Sequence, residues 1–292
     1  MLPYFVSYRC NLRFPTLMLC GLLLCLGTNC DNGGASSDRV EEKAVHPGTF
    51  QTIEKKYPNS AVDGYNLYFP PAYEAHPDTM LPLIVFLQGG LSVGGWVGDI
   101  FKWELPRELK ESADISSELG QLKRNTFIYV MPHIARGEYY LYVDAFEQLL
   151  DELTNQHRID TSRIYLTGLS RGGFGTWGLA SKMPERFAAV APIAGAPHGV
   201  RDYEALAQVP TWAAHNHKDD RVDFLHSENA VRRVERTGGV EFHRTTSVAE
   251  VDYLKHDHIF TAGTNSDFPH DAWTAMYNEV NFYKWLLRFE LE

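Results

Sequence analysis

The hydrophobic residues of this chain recur in short runs, which alternate with longer stretches of mixed apolar and polar positions. Two of the short runs, residues 83–87 and 127–130, are apolar at every position, which is typical of strands buried on both faces of a sheet. Similar runs elsewhere predict further strands. The predicted strands are residues 65–69, 83–87, 127–131, 163–167, 188–191, 211–214 and 240–245.

The longer stretches show the three- and four-residue spacing of amphipathic helices. Residues 143–157 place four large apolar side chains on one face, and residues 171–183 and 273–283 also have helical patterns. Strands that alternate with helices predict an α/β protein with a mainly parallel sheet and helices on both faces. In such a sheet the active site lies at the carboxyl ends of the strands.

The first 30 residues differ from the rest of the chain. They contain two arginines, no acidic residue, an apolar run at 14–27 and all four cysteines. This arrangement predicts a signal for export to the periplasm, the cell surface or the medium, and the polar residues 31–45 predict a flexible tether. Cys30 resembles the lipidated cysteine of bacterial lipoproteins, although its spacing departs from the usual pattern. The alternatives are a signal cleaved nearby and an uncleaved anchor.

Residues 46–292 contain no repeat and no second low-complexity segment, so we predict that they form one domain. The net charge of the chain is −10; without the first 30 residues, 25 basic and 37 acidic side chains give −12. This balance argues against nucleic acid and against anionic membrane surfaces as partners, so a lipid anchor would be the only membrane contact. The domain has no cysteine and therefore no disulfide.

One glycine-rich turn carries the strongest chemical signal. The sequence Gly168-Leu169-Ser170-Arg171-Gly172 lies between a predicted strand and a predicted helix. A serine on so sharp a turn presents its hydroxyl at the positive end of the helix, and the glycines let the chain pass close to its neighbours. We predict that Ser170 is a nucleophile; the alternative is a glycine-rich turn with a capping serine.

A serine nucleophile needs a base, and the base needs a third group that orients it. In proteins with this turn the chain order is serine, then aspartate or glutamate, then histidine. Asp219 follows the predicted strand at 211–214 and His270 precedes the C-terminal helix, so we predict that they are the acid and the base. Competing candidates are Asp220 and Asp223 for the acid, and His256 and His258 for the base.

An oxyanion that forms during acyl transfer needs N–H donors. The first predicted donor is the backbone N–H of Arg171, which begins the helix after Ser170. The second should come from the loop after the strand at 83–87. There we choose the N–H of Gly90, with that of Leu91 as the runner-up.

Two histidine pairs raise the question of a metal site. His215 and His217, and likewise His256 and His258, are two residues apart. This spacing on loops is a poor metal signature, and no cysteine joins the pairs. We therefore predict no metal and no cofactor, and we place these histidines in loops near the mouth of the site.

The region around Ser170 resembles a known group of enzymes. It is similar to bacterial carboxylesterases and predicted peptidases of the α/β-hydrolase superfamily. The similar groups are the phospholipase/carboxylesterase, prolyl-oligopeptidase-related, dienelactone-hydrolase-like and feruloyl-esterase-like proteins. The resemblance implies an α/β-hydrolase catalytic domain with Asp219 as acid and His270 as base. It also implies hydrolysis of carboxylic esters through an acyl-enzyme, on small-molecule or polysaccharide-linked substrates. The similar segments are residues 159–177, 184–195, 209–212, 218–219 and 270–273.

Two features depart from the family pattern. The oxyanion loop begins with Gln88-Gly89 where the family has His-Gly, and residues 248–268 are longer than the family's short turn. We expect Gln88 to hold the loop by hydrogen bonds, and the long segment to cover the substrate or to be an inert surface excursion. The alternative functions are a serine peptidase of the prolyl-oligopeptidase-related type and a non-catalytic, lipid-anchored binding protein with the α/β-hydrolase fold.

Overall fold

The structure is a computed structural model and describes residues 48–90, 93–265 and 267–292. The predicted signal at 1–30, including Cys30, and the predicted tether at 31–45 lie outside these residues. The described residues belong to one compact unit. Within this part of the chain, no helix is both long and apolar enough to cross a membrane.

The described strands form a single sheet with the spatial order β1-β2-β4-β3-β5-β6-β7-β9-β8. Strand β1 runs antiparallel to β2, and β2 runs antiparallel to β4. All other neighbours are parallel. The strands, numbered along the chain, are β1 (Thr49–Glu54), β2 (Val62–Phe69), β3 (Leu81–Leu87), β4 (Ile128–Ile134), β5 (Ile159–Leu169), β6 (Ala189–Ile193), β7 (Thr211–Asn216), β8 (His243–Thr245) and β9 (His258–Gly263).

Helices cover both faces of the sheet, as the alternating sequence pattern predicts. On one face, helices α4 to α7 contribute Leu149, Trp177, Leu206 and Val231 to an apolar cluster. On the other face, α2, α8 and α9 contribute to a second cluster. The helices are α1 (Pro71–Ala75), α2 (Glu104–Glu111), α3 (Glu118–Asn125), α4 (Val143–Gln156), α5 (Arg171–Ala180), α6 (Tyr203–Ala207), α7 (Phe224–Gly238), α8 (Trp273–Tyr277) and α9 (Val280–Leu286).

The central strands are apolar at successive positions because they are buried from both sides. Along β3, Val85 belongs to the first cluster, whereas Ile84 and Phe86 belong to the second. Side chains of a strand point alternately to its two faces, so a strand with two covered faces needs an apolar residue at every position. The predicted α/β-hydrolase fold, with a mainly parallel sheet and helices on both faces, is confirmed.

The prediction for residues 248–268 is wrong in part. This segment contains β9, which lies in the sheet between β7 and β8 and pairs with both. At least six of its residues therefore belong to the core architecture and do not form a cover over a pocket. Strand β8, predicted as residues 240–245, is also shorter and consists of His243–Thr245.

The C-terminal helix predicted at 273–283 is two helices. Helix α8 ends at Tyr277, and α9 begins at Val280 after Glu279. The side chain of Glu279 accepts a hydrogen bond from the backbone N–H of Asn281, so it caps the start of α9. A side-chain cap of this kind competes with a continuous helical backbone, which explains the break.

A buried ion pair joins α2 to α3. The Lys123 side chain is 1% exposed, and its Nζ is bonded to Glu108 and to the Asn278 side chain. Burial lowers the pKa of Lys123, while the hydrogen bond from its ammonium to Glu108 opposes that shift. The ammonium is therefore stable here only because partners surround it.

Replacement of Glu108 by alanine is expected to lower the free energy of unfolding by about 3 kcal/mol, because it removes one partner of a buried charge. Urea denaturation monitored by circular dichroism measures the loss. Glu228→Ala is the matched control, since Glu228 pairs with the largely exposed Arg232 on α7. That variant should lose less than about 1 kcal/mol. Equal losses in the two variants would contradict the expectation.

Candidate active site

Ser170 lies at the turn from β5 to α5, at the carboxyl edge of the sheet. Its backbone has φ 53° and ψ −117°, a strained conformation for a residue with a Cβ. The neighbouring chain is packed tightly: a Cβ on Gly172 would lie 1.9 Å from the carbonyl oxygen of Leu87. The glycines are therefore required because the turn passes directly against β3.

The structure brings Ser170, His270 and Asp219 together. His270 Nε2 lies 3.0 Å from Ser170 Oγ, and His270 Nδ1 lies 2.7 Å from Asp219 Oδ2. The imidazole thus stands between the hydroxyl and the carboxylate at hydrogen-bond distance from each. The side chain of Asp219 is buried, whereas that of His270 is about one fifth exposed, so the reacting end of the arrangement is open to solvent.

Asp219 is held as a carboxylate. Burial alone raises the pKa of this carboxyl, but hydrogen bonds from His215, His270 and the backbone N–H groups of Val222 and Arg221 outweigh it. Together they hold the pKa of Asp219 well below its usual range. The two backbone donors lie 3.0 and 2.8 Å from Oδ1. A carboxylate with this many donors stays ionised at neutral pH.

The competing acids and bases lie elsewhere. Asp220 is exposed and lies 3.7 Å from the guanidinium of Arg221. Asp223 caps the start of α7. His256 stacks on the ring of His243 at a centroid distance of 3.9 Å, and His258 begins β9, at the opposite end of that strand from its carboxyl end. These residues do not make the contacts that Asp219 and His270 make with each other and with Ser170.

The two predicted oxyanion donors occupy different surroundings. Arg171 is the first residue of α5, so its backbone N–H belongs to the unpaired first turn of a helix, and its side chain pairs with Glu138. In the loop after β3, a Cβ on Gly89 would lie 3.9 Å from Ser170 Cβ, so this loop passes beside the nucleophile. Gly90 follows it and is exposed, and Leu91 lies outside the described residues. The oxyanion roles of Gly90 and Arg171 stay predictions.

The expected role of Gln88 is wrong. Its side chain is buried, and neither Oε1 nor Nε2 makes a hydrogen bond to a described residue. The bond that fixes this loop position comes from the Tyr139 hydroxyl, which donates to the backbone carbonyl of Gln88 at 3.4 Å. The described contact at this loop position is therefore made by the backbone of Gln88 and not by its amide side chain.

The placement of His215 and His258 in loops at the mouth of the site is also wrong, because His215 lies in β7 and His258 begins β9. His215 is a fully buried residue of β7, and its Nε2 lies 2.9 Å from Asp219 Oδ2. The next residue, Asn216, donates from Nδ2 to the carbonyls of Pro269 and Asp271, at 3.0 Å each. Neither role is predicted from the sequence. The sequence feature that could have indicated these roles is the pair of polar residues that follows the apolar run of β7, at the carboxyl edge of the sheet.

His217, the other histidine of that pair, is exposed and packs on Phe224 at a ring centroid distance of 4.2 Å. Among residues 48–90, 93–265 and 267–292, no group of three or more His, Cys, Asp or Glu side chains is arranged to hold a metal ion.

Glu104, the first residue of α2, is strained and electrostatically unusual. Its φ is +44°, a region that favours glycine. Burial, together with the nearby charge of Asp271, raises the pKa of Glu104 to about 7, against the opposing charge of Arg107. Asp271 directly follows His270 in the chain, so the carboxyl of Glu104 lies near the loop that carries His270.

The sign of this shift gives a pH-dependent stability. Between pH 4.5 and about 7 the folded protein keeps a proton on Glu104 that the unfolded chain has lost, so the wild type loses stability as the pH rises through this window. Glutamine does not ionise, so Glu104→Gln avoids this loss of stability. At pH 8 its free energy of unfolding should exceed that of the wild type by on the order of 2 kcal/mol. Thermal and urea unfolding at pH 4 and pH 8 measure the gap. A gap that is the same at both pH values would contradict the expectation.

No protein-family profile matches this chain. Two curated proteins are similar over short segments. Poly(3-hydroxyalkanoate) depolymerase C of Paucimonas lemoignei is 46% identical over 54 residues, which are 18% of this chain and 13% of that protein. The bifunctional acetylxylan esterase/xylanase XynS20E of Neocallimastix patriciarum is 32% identical over 85 residues, which are 29% of this chain and 12% of that protein. The chain therefore matches only a small part of the length of either relative.

Solved structures match over most of the chain. A thermostable esterase superimposes with a TM-score of 0.62 at 22% identity, covering 84% of this chain and 64% of the other. A ferulic acid esterase from Anaeromyces mucronatus, in complex with ferulic acid, superimposes with a TM-score of 0.58 at 14% identity, covering 87% and 95%. At these identities the likeness shows the fold, which is that of the α/β-hydrolases. The expected resemblance to esterases of this type is confirmed.

Proposed function

We propose that this protein is a serine hydrolase that cleaves carboxylic esters through an acyl-enzyme on Ser170. One observation carries the proposal: the ring of His270 lies 3.0 Å from the Ser170 hydroxyl and 2.7 Å from the Asp219 carboxylate. A hydroxyl on a strained turn, a base within reach of its proton and a carboxylate behind the base are the parts that acyl transfer needs.

In the first half of the reaction, Ser170 Oγ attacks the ester carbonyl while His270 Nε2 takes the hydroxyl proton. The carbonyl oxygen becomes an oxyanion, which the backbone N–H groups of Arg171 and Gly90 stabilise. The tetrahedral intermediate then breaks its bond to the alkoxy oxygen, and His270 returns the proton to the departing alcohol. Asp219 accepts a hydrogen bond from Nδ1 throughout, so it fixes the tautomer of His270 and stabilises the imidazolium.

In the second half, a water molecule replaces the alcohol. His270 Nε2 takes a proton from the water, whose oxygen attacks the acyl carbon and forms a second oxyanion. The bond between the acyl carbon and Ser170 Oγ breaks, and His270 gives its proton to Oγ. The carboxylic acid leaves and the resting enzyme is restored.

The comparisons support esters as the substrate class. The similar proteins include an acetylxylan esterase, a poly(3-hydroxyalkanoate) depolymerase and a ferulic acid esterase. We therefore propose that the substrate is a small-molecule ester or an acyl group linked to a polysaccharide.

The test has two parts. A fluorophosphonate probe should label the purified wild type in a one-to-one ratio, and mass spectrometry should locate the adduct on Ser170. Nitrophenyl esters of increasing acyl length, methyl ferulate, acetylated xylan and a panel of peptide amides should then show turnover of esters. Absence of labelling in the folded protein would contradict catalysis and favour a binding protein. Faster cleavage of the amides would favour a peptidase.

We also propose that the protein is exported and carries a lipid on Cys30. The support is the apolar run at 14–27 and the polar tether that follows Cys30. Metabolic labelling with an alkyne fatty acid in a bacterial host should mark the wild type and Cys25→Ser, but not Cys30→Ser. Labelling of all three proteins, or of none, would contradict the lipid anchor.

A further inference from the structure

His215 contacts the same carboxylate oxygen of Asp219 as His270 does. Its ring is fully buried, and Nε2 lies 2.9 Å from Asp219 Oδ2 and 3.0 Å from the backbone carbonyl of Val222. Both of these oxygens can only accept, because Asp219 is ionised and a carbonyl has no proton. Nε2 must therefore carry a proton and act as the hydrogen-bond donor to these oxygens.

The other nitrogen is held as well. His215 Nδ1 lies 2.7 Å from Ser227 Oγ on α7, and this hydroxyl donates to the carbonyl of Gly195 at 2.9 Å. The ring is thus held at both nitrogens, between α7 and the chain after β6. That chain is close to the nucleophile: Ile193, at the end of β6, accepts a hydrogen bond from the backbone N–H of Ser170 at 2.9 Å.

The two carboxylate oxygens of Asp219 accept hydrogen bonds from different kinds of donor. Oδ1 accepts two backbone N–H groups, from Arg221 and Val222, whereas Oδ2 accepts one N–H from His215 and one from His270. Without His215, the only described donor on Oδ2 would be His270 itself, the group that Asp219 has to hold. The hydrogen bond that fixes the position of Oδ2 independently of His270 is therefore the one from His215.

We propose that His215 is a positioning residue that orients Oδ2 of Asp219 toward His270. It touches neither substrate nor the Ser170 hydroxyl, and it acts through Asp219. The inference rests on the proposed function, since it assigns a role within the same site. A displacement of about 1 Å in such an arrangement costs about 100-fold in rate, so support of this kind has a measurable effect.

Two amide variants separate the two contacts of the ring. The amide nitrogen of His215→Gln reaches the place of Nε2, so it can still donate to Asp219 and loses Ser227. The amide of His215→Asn reaches the place of Nδ1, so it can still meet Ser227 and loses Asp219. Both variants are polar, uncharged and no larger than histidine.

We expect His215→Gln to keep kcat within about 3-fold of the wild type, and His215→Asn to lower kcat about 30-fold with little change in KM. A purely structural role would lower the melting temperature and the activity of both variants together, without rescue by glutamine. Wild-type kcat in folded His215→Asn, or equal losses in both variants, would overturn the proposal.

Ser227→Ala keeps the proposal testable if His215→Asn does not fold. In the wild-type background it should lower kcat severalfold, because His215 Nδ1 loses its contact with the Ser227 hydroxyl. In the His215→Gln background it should leave kcat unchanged, because that contact is already absent. An unchanged kcat in the wild-type background would overturn the proposal.

The rate of phosphonylation by a fluorophosphonate, measured on every variant, separates the two possible failures. A wild type that is not labelled would contradict the proposed function and this inference with it. Labelling of the wild type and of folded His215→Asn at one rate would contradict the inference alone.

Discussion

Ser170→Ala is expected to lower kcat for ester hydrolysis about 10⁶-fold, because the variant lacks the hydroxyl that is proposed to form the acyl-enzyme. The folded structure should be unchanged, since alanine keeps the Cβ and the backbone of the turn. Steady-state hydrolysis of nitrophenyl acetate measures the loss, and fluorophosphonate labelling should disappear with it.

Ser162→Ala is the matched control for this variant. Ser162 lies on the same strand, β5, but its hydroxyl bonds to Asp160 near the amino end of the strand, away from the carboxyl edge where Ser170 lies. It should be labelled and should hydrolyse esters as the wild type does. A residual rate within tenfold of the wild type in Ser170→Ala would show that another residue is the nucleophile.

The strain at Ser170 makes a second comparison informative. In an ordinary helical position glycine is about 1 kcal/mol less favourable than alanine. At Ser170 the φ of 53° and ψ of −117° carry a cost for any residue with a Cβ, and glycine avoids it. Ser170→Gly should therefore be at least as stable as Ser170→Ala in urea denaturation. A glycine variant that is less stable by 1 kcal/mol would show that the turn is not strained.

Burial explains which strands the sequence predicts. Residues 83–87 are readable because β3 is covered on both faces and each of its positions must be apolar. Strand β1 was missed because it is an exposed edge strand, and only two of its six positions are even half-buried. Strand β9 was missed because it begins with a histidine and ends with a glycine, so only its middle looks like a core strand.

The candidate site, too, is predictable from the sequence only in part. Ser170 is visible in the sequence because a sharp turn requires glycines at fixed local positions, and chain order then indicates Asp219 and His270. The support around them is not visible, since it depends on contacts between distant elements. Asn216 reaches residues more than fifty positions away, and Tyr139 reaches the backbone of Gln88 across fifty-one.

The hydrogen bonds around Asp219 also make Asp219→Asn a severe variant, with kcat expected to fall about 10⁴-fold. The asparagine oxygen must stay at the place of Oδ1, where two backbone N–H groups donate and cannot turn away. Its NH₂ then faces His270 Nδ1, which has to become an acceptor. The proton of the ring moves to Nε2, and this nitrogen can no longer take the proton of Ser170.

The same NH₂ also faces His215 Nε2, whose other neighbour, the carbonyl of Val222, still requires a donor. A conflict in a buried network costs stability, so Asp219→Asn should also unfold at lower urea than the wild type. Asp220→Asn, at the exposed neighbouring position, should change neither quantity. If Asp219→Asn kept wild-type kcat, the tautomer of His270 would be set by something other than Asp219, and the carboxylate would serve only to hold its loop.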